Sequence, residues 1–137
     1  MDKETLILIA GQLTKDKLSM IEMHEQLIEN LGNTQEAEDY VYHEHLGEYI
    51  QILENVINKI SVCVIDPEEQ ITQQEYVIIS AQLQSDKKQM DNYVLEIENV
   101  RSMTLDMHPH DHERFMRWES ELLESLIRTF QTNFSES

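Results

Sequence analysis

Three glycines and two prolines in 137 residues leave this chain almost nowhere to turn. Both residue types punctuate loops and hairpins, so their scarcity excludes a fold of many short strands. What remains is long helices. The apolar residues agree, recurring every three or four positions through four stretches.

The first stretch predicts a helix from Lys3 to Leu31, stopped by Gly32-Asn33, with Leu6, Ala10, Leu13, Lys17, Met20, His24, Leu27 and Leu31 on its inner stripe. A second follows the N-cap candidate Thr34 and runs to Val64. Its stripe is Asp39, His43, Leu46, Ile50, Leu53, Ile57, Ile60 and Val64. Asp66-Pro67 breaks the chain, and Thr72-Gln-Gln-Glu75 has the form of a capping box. The third helix then continues to Met107, with Tyr76, Ile79, Leu83, Met90, Val94, Ile97 and Arg101 on one face. After His108-Pro109-His110, a fourth helix to Asn133 is expected to bury Phe115, Trp118, Leu122, Leu126 and Phe130, with Glu119 inside that arc. Four long helices with short connections predict an all-α fold, an antiparallel up-down-up-down four-helix bundle. A single domain over residues 1–134 is expected, with 135–137 a flexible tail. Gly11 and Gly47 interrupt helices at about 1 kcal/mol each against alanine, as tolerated defects or, less simply, as points where another chain comes close.

The net charge of −17 is extreme for this length. It opposes direct binding to nucleic acid or to an anionic membrane, and favours basic partners or cations. Between Leu18 and Asn58 stand nine acidic residues and no lysine or arginine. An ordinary solvated helix mixes signs, because Glu–Lys pairs one turn apart stabilise it. Glu22, Glu25, Glu29, Glu36, Glu38, Glu44 and Glu48 therefore form the candidate partner-binding surface, for a basic protein partner, nucleic-acid-binding proteins among them. In character, though in no specific motif, this resembles small acidic inhibitors such as anti-sigma factors and DNA mimics. A non-enzymatic, inhibitory interaction protein is the leading expectation.

A second group of residues draws a different reading. His24, Asp39, His43, Arg101 and Glu119 are polar at positions where helices should be apolar, and burial of such groups requires pairing or an ion. In the simplest bundle they converge at one end with all six histidines. His24, Asp39, His43, His112 and Glu119 are the candidate ligands of a metal, with zinc or iron suiting imidazole and carboxylate donors. Against this, no Glu-x-x-His step of the di-iron bundles is present, and Arg101 competes for the same carboxylates. A polar core layer, with Arg101 paired to Glu119 or Asp39, is the simpler expectation, and a small-ligand pocket at the same cluster is the remaining alternative to a metal site.

No catalytic constellation stands out. Glu22-x-x-Glu25 and Glu36-x-x-Asp39 loosely resemble the acidic pairs of helical nucleotide pyrophosphohydrolases. However, Glu22 and Glu25 lie off the inner stripe. Cys63, the only cysteine, sits between Val62 and Val64 and reads as a core hydrophobe. At the opposite end, the runs 6–10, 62–65, 76–79 and 122–130 are apolar on more than one face, which makes either a thicker core or a homodimer interface. No basic leader or bilayer-length apolar run is evident, so a cytoplasmic protein is expected.

Overall fold

The computed structural model describes residues 2–31, 37–103 and 111–136; within these, the side chains at 28, 30–31, 37–43, 102, 111–112 and 135–136 lie outside the description. The fold is all-α, with helices α1 (Lys3–Leu31), α2 (Ala37–Ile65), α3 (Gln73–Met103) and α4 (Asp111–Glu136). Helix α1 packs with α2, and α3 with α4. The chain divides into two compact units, Leu6–Glu75 and Met1–Thr5 with Tyr76–Ser137.

Local chemistry sets the ends. Asp2 Oδ1 accepts the Glu4 amide at 3.2 Å, capping α1. Past α2, Asp66 Oδ1 accepts the Glu68 amide at 3.0 Å, a short turn closed over Pro67. The capping box is complete: Thr72 Oγ1 accepts the Glu75 amide at 3.2 Å, and Glu75 Oε1 accepts the Thr72 amide at 2.9 Å. The expected cap Thr34 and the last turn expected for α3, 104–107, lie outside the described residues. Helix α4 continues to Glu136, beyond the expected end at Asn133 and through most of the expected tail.

In the first helix pair, Leu6, Ile9 and Leu13 of α1 are buried, as are Leu46, Leu53, Val56, Ile60 and Cys63 of α2. The inner stripes are close to those expected, with Ile9, Val56 and Cys63 added. Helices α1 and α2 come close at Gly47. A Cβ built there would lie 3.3 Å from His24 Nε2. At Gly11, by contrast, the space around a Cβ is open.

In the second pair, Ile79 and Leu83 of α3 are buried with Leu123, Leu126, Ile127 and Phe130 of α4. Tyr76 stacks on Phe130 and Phe134, with ring centroids 5.1 and 4.1 Å apart. Here the expected stripe of α4 is corrected. Phe115, Trp118 and Leu122 are exposed, and the inward face runs through Glu113, Leu123, Ile127 and Phe130. The reason is two apolar stripes on one helix, roughly 130° apart around its axis. The aromatic stacking of Tyr76 holds the Phe130 and Phe134 side against α3, and this turns the Trp118 side outward.

The two helical glycines separate in consequence. Gly11→Ala should raise unfolding stability by about 0.5–1 kcal/mol, the propensity gain without a steric cost. Gly47→Ala should gain clearly less or lose stability, since His24 must yield a few tenths of an ångström. Urea denaturation of both variants checks this, and equal gains would refute the close approach.

Candidate functional site

The most constrained polar group in the described structure is Glu113, whose side chain is fully buried in the first turn of α4. Carboxylates are favoured at a helix N-terminus and cations in the last turn, where Arg101 closes α3. The two ends meet across the connection. Arg101 Nη2 donates to Glu113 Oε1 at 3.1 Å, and Arg117 Nη2 donates to the same oxygen at 3.1 Å. Arg117 also pairs with Glu98 of α3. Two guanidinium groups and two carboxylates thus compensate each other. Glu113 Oε2 is buried and accepts no hydrogen bond among the described residues.

Sequence reasoning named Glu119 or Asp39 as partners of Arg101; the structure brings Arg101 to Glu113, a carboxylate that reading did not name, and the Asp39 side chain lies outside the description. The missed residue had a signal. Stepping back from Phe134, Phe130, Ile127 and Leu123 in threes and fours reaches Ser120, Met116 and Glu113. The pull of Trp118 and Phe115 toward the core obscured that frame.

Further along the same pair, Asp91 Oδ2 accepts from Lys87 Nζ at 2.7 Å, and Ser120 Oγ of α4 donates to Asp91 Oδ1. The Lys87 ammonium first, and the Ser120 hydroxyl second, hold the Asp91 carboxyl below its ordinary value of 3.8. The same bond raises Lys87. Cys63 behaves as expected of a core side chain: it is buried, and desolvation pushes its thiol up against the smaller opposing pull of Lys59. A thiol so placed is a poor nucleophile at neutral pH.

The expected metal ligands are only partly visible. His24 is half-buried on α1 beside Gly47, and Glu119 is half-buried on α4 in the other unit. The side chains of Asp39, His43 and His112 lie outside those described. Among the described residues, no group of three or more histidine, cysteine or carboxylate side chains is arranged to hold a metal ion.

Of the expected partner-binding carboxylates, Glu22, Glu25, Glu29, Glu44 and Glu48 are all exposed. Glu36 and the Glu38 side chain are outside the description. His45 approaches Glu48 at 3.9 Å, and neither is buried. The charge is unevenly divided: residues 6–75 carry 14 acidic and 3 basic side chains, net −11, whereas residues 1–5 and 76–137 carry 13 and 7, net −6. The strongly apolar runs divide too. Leu6, Ile9, Cys63, Ile79, Leu126 and Phe130 are buried, while Ile7, Leu8, Val62, Ile65, Val77 and Leu122 remain exposed. No helix among the described residues is long and apolar enough to cross a membrane.

Comparison with family models, with curated proteins and with solved structures returned no match. The chemistry of these residues therefore carries the functional argument alone.

Two expectations test the site. Glu113→Ala should destabilise the protein by about 3–5 kcal/mol, because it removes the buried carboxylate that compensates the Arg101 and Arg117 guanidiniums; Glu113→Gln, which keeps the shape, should cost less. Thermal or urea unfolding reads both, and a loss under about 1 kcal/mol for the alanine variant would show the cluster to be incidental. A carboxyl held low in the folded state stabilises above its unfolded value, and that contribution fades as pH falls through the folded value. The stability advantage of the wild type over Asp91→Asn should therefore be constant at neutral pH and shrink below pH 3.8. A difference that stays flat down to acid unfolding would contradict the pairing.

Proposed function

We propose that this chain is a non-enzymatic interaction protein that binds, and by binding inhibits, a basic protein partner through the electronegative face of α1 and α2. The observation that carries this reading is the run of exposed carboxylates Glu22, Glu25, Glu29, Glu44 and Glu48 in a stretch without lysine or arginine. In α3 and α4 the acids are met by cations: Lys87 by Asp91, Arg101 and Arg117 by Glu113, Arg128 by Glu124. Between Leu18 and Asn58 the chain has no such cations, so the field of these acids extends into solvent.

The mechanism is electrostatic capture. A surface of one sign steers an oppositely charged partner and speeds encounter by orders of magnitude at low salt. Occupying a basic groove that otherwise holds nucleic acid would then block that groove by competition. The acids play no part in bond-making, and neither Cys63 nor the buried Glu113 is placed to act on a bound substrate. A cytoplasmic location is part of the same proposal.

The test begins with a partner recovered at low ionic strength and purified. Its affinity should fall at least a hundredfold between about 50 and 500 mM salt, where screening shortens from about 14 Å to about 4 Å. The variant Glu25→Lys, Glu29→Lys, Glu44→Lys, Glu48→Lys should lose binding while keeping its helicity by circular dichroism. Unchanged affinity in that variant would refute the proposal.

A further inference from the structure

The outward face of α4 carries Phe115, Trp118 and Leu122, exposed to 53%, 56% and 45%. The Phe115 and Trp118 rings lie 6.0 Å apart, so the stripe is continuous along one turn. Trp, Phe and Arg are the residues that dominate binding energy at protein interfaces. Apolar exposure alone does not say what covers it. The charges beside it do.

On α4, Glu113, Arg117, Glu124 and Arg128 are engaged in ion pairs. Arg114 and Glu121 are exposed and enter no ion pair among the described residues. They stand seven residues apart on the same flank of the stripe, about 10 Å along the axis, too far to meet each other. One is positive, the other negative, and Trp118 lies between them.

That pattern is complementary to itself. We propose that this face of α4 is the surface on which a second copy of the chain docks, antiparallel, about a two-fold axis at Trp118. Such an axis sets each flank against the same flank of the other helix and reverses the direction of the chain. Trp118 then faces its own copy, Phe115 faces the second copy's Leu122, and Arg114 faces the second copy's Glu121. Each contact occurs twice. No shift of register is needed to satisfy the three kinds of pair, because their positions are centred on the same residue to within half a position.

The dimer is weak by design of the surface. Three half-exposed side chains contribute roughly 100 Å² each, well below the about 800 Å² per partner of a stable complex. The negative charge of both copies opposes association further, so self-association strengthens as salt rises. This is the reverse of the salt dependence of the acidic face, and it separates the two sites experimentally.

Sedimentation equilibrium of the full chain, from about 10 µM to about 1 mM, reads the association. A reversible monomer–dimer equilibrium is expected within that range. Arg114→Glu and Glu121→Arg should each weaken self-association at least tenfold, since each sets like charges together. Mixed in equal amounts, the two variants should recover association as a heterodimer. Trp118→Ala should abolish it, and unchanged far-ultraviolet circular dichroism verifies that the exposed substitutions leave the fold intact. A wild type that stays monomeric to about 1 mM, with a blue-shifted tryptophan emission showing the stripe covered within its own chain, would overturn the proposal. So would a dimer indifferent to the charge variants and to their mixing.

Discussion

A carboxylate with no exposed surface is tolerable only where cations reach it, and Glu113 makes that demand on α3 and α4. Leucine and isoleucine faces are forgiving. Two helices can slide past one another by a turn and bury nearly the same area. A slip of one turn, about 5.4 Å, would carry Glu113 away from Arg101 and Arg117 away from Glu98, breaking both ion pairs between the helices. The polar contacts thus define the alignment that the apolar ones merely reward. Arg101 with Glu113, Glu98 with Arg117, and Asp91 with Ser120 are successive crosslinks of one antiparallel register. At the far end of the pair, Tyr76 stacked on Phe130 and Phe134 closes it.

How much of this was legible in the sequence depended on how many signals agreed. Thr72 and Glu75 sit at capping-box spacing beside a proline-marked turn, and the structure forms that box as the spacing demands. The burial of Leu13, Leu53, Ile60 and Leu83 and the core setting of Cys63 followed from periodicity of the same plain kind. Helix α4 was ambiguous because it carries two apolar stripes. Size favours the one with tryptophan, and packing chose the other. Periodicity ranks faces by hydrophobicity, whereas a helix pair selects the face whose shape and charges fit its neighbour. With α4 turned by about a third of a rotation, Glu113 faces inward, where it meets Arg101.

The same rotation explains why Trp118 and Phe115 belong to the surface. A face that carries both a tryptophan and a charge-balanced flank is poorly suited to remain in water. Arg114 and Glu121 are spaced so that neither reaches the other on one helix, and in the proposed dimer both would be paired across the two copies. Self-complementarity of this kind arises from sequence order alone. It needs no pocket, only a residue at the centre and opposite charges on either side.

The acidic half of the molecule bears a cost that the basic residues elsewhere do not relieve. Glu22, Glu25 and Glu29 follow one another at spacings of three and four, as do Glu44 and Glu48 at four, so like charges face each other one turn apart. Each such pair destabilises its helix by a few tenths of a kcal/mol, within the screening length of physiological salt. Interchanging a glutamate for a lysine at any of these sites would remove repulsion and add a favourable pair. The stretch from Leu18 to Asn58 makes no such exchange. Under the proposed function, a basic surface laid against it would supply the missing cations all at once and convert the internal repulsion into binding free energy. The repulsion of the unbound face and the affinity of the bound one would then be the same interaction, counted before and after the partner arrives.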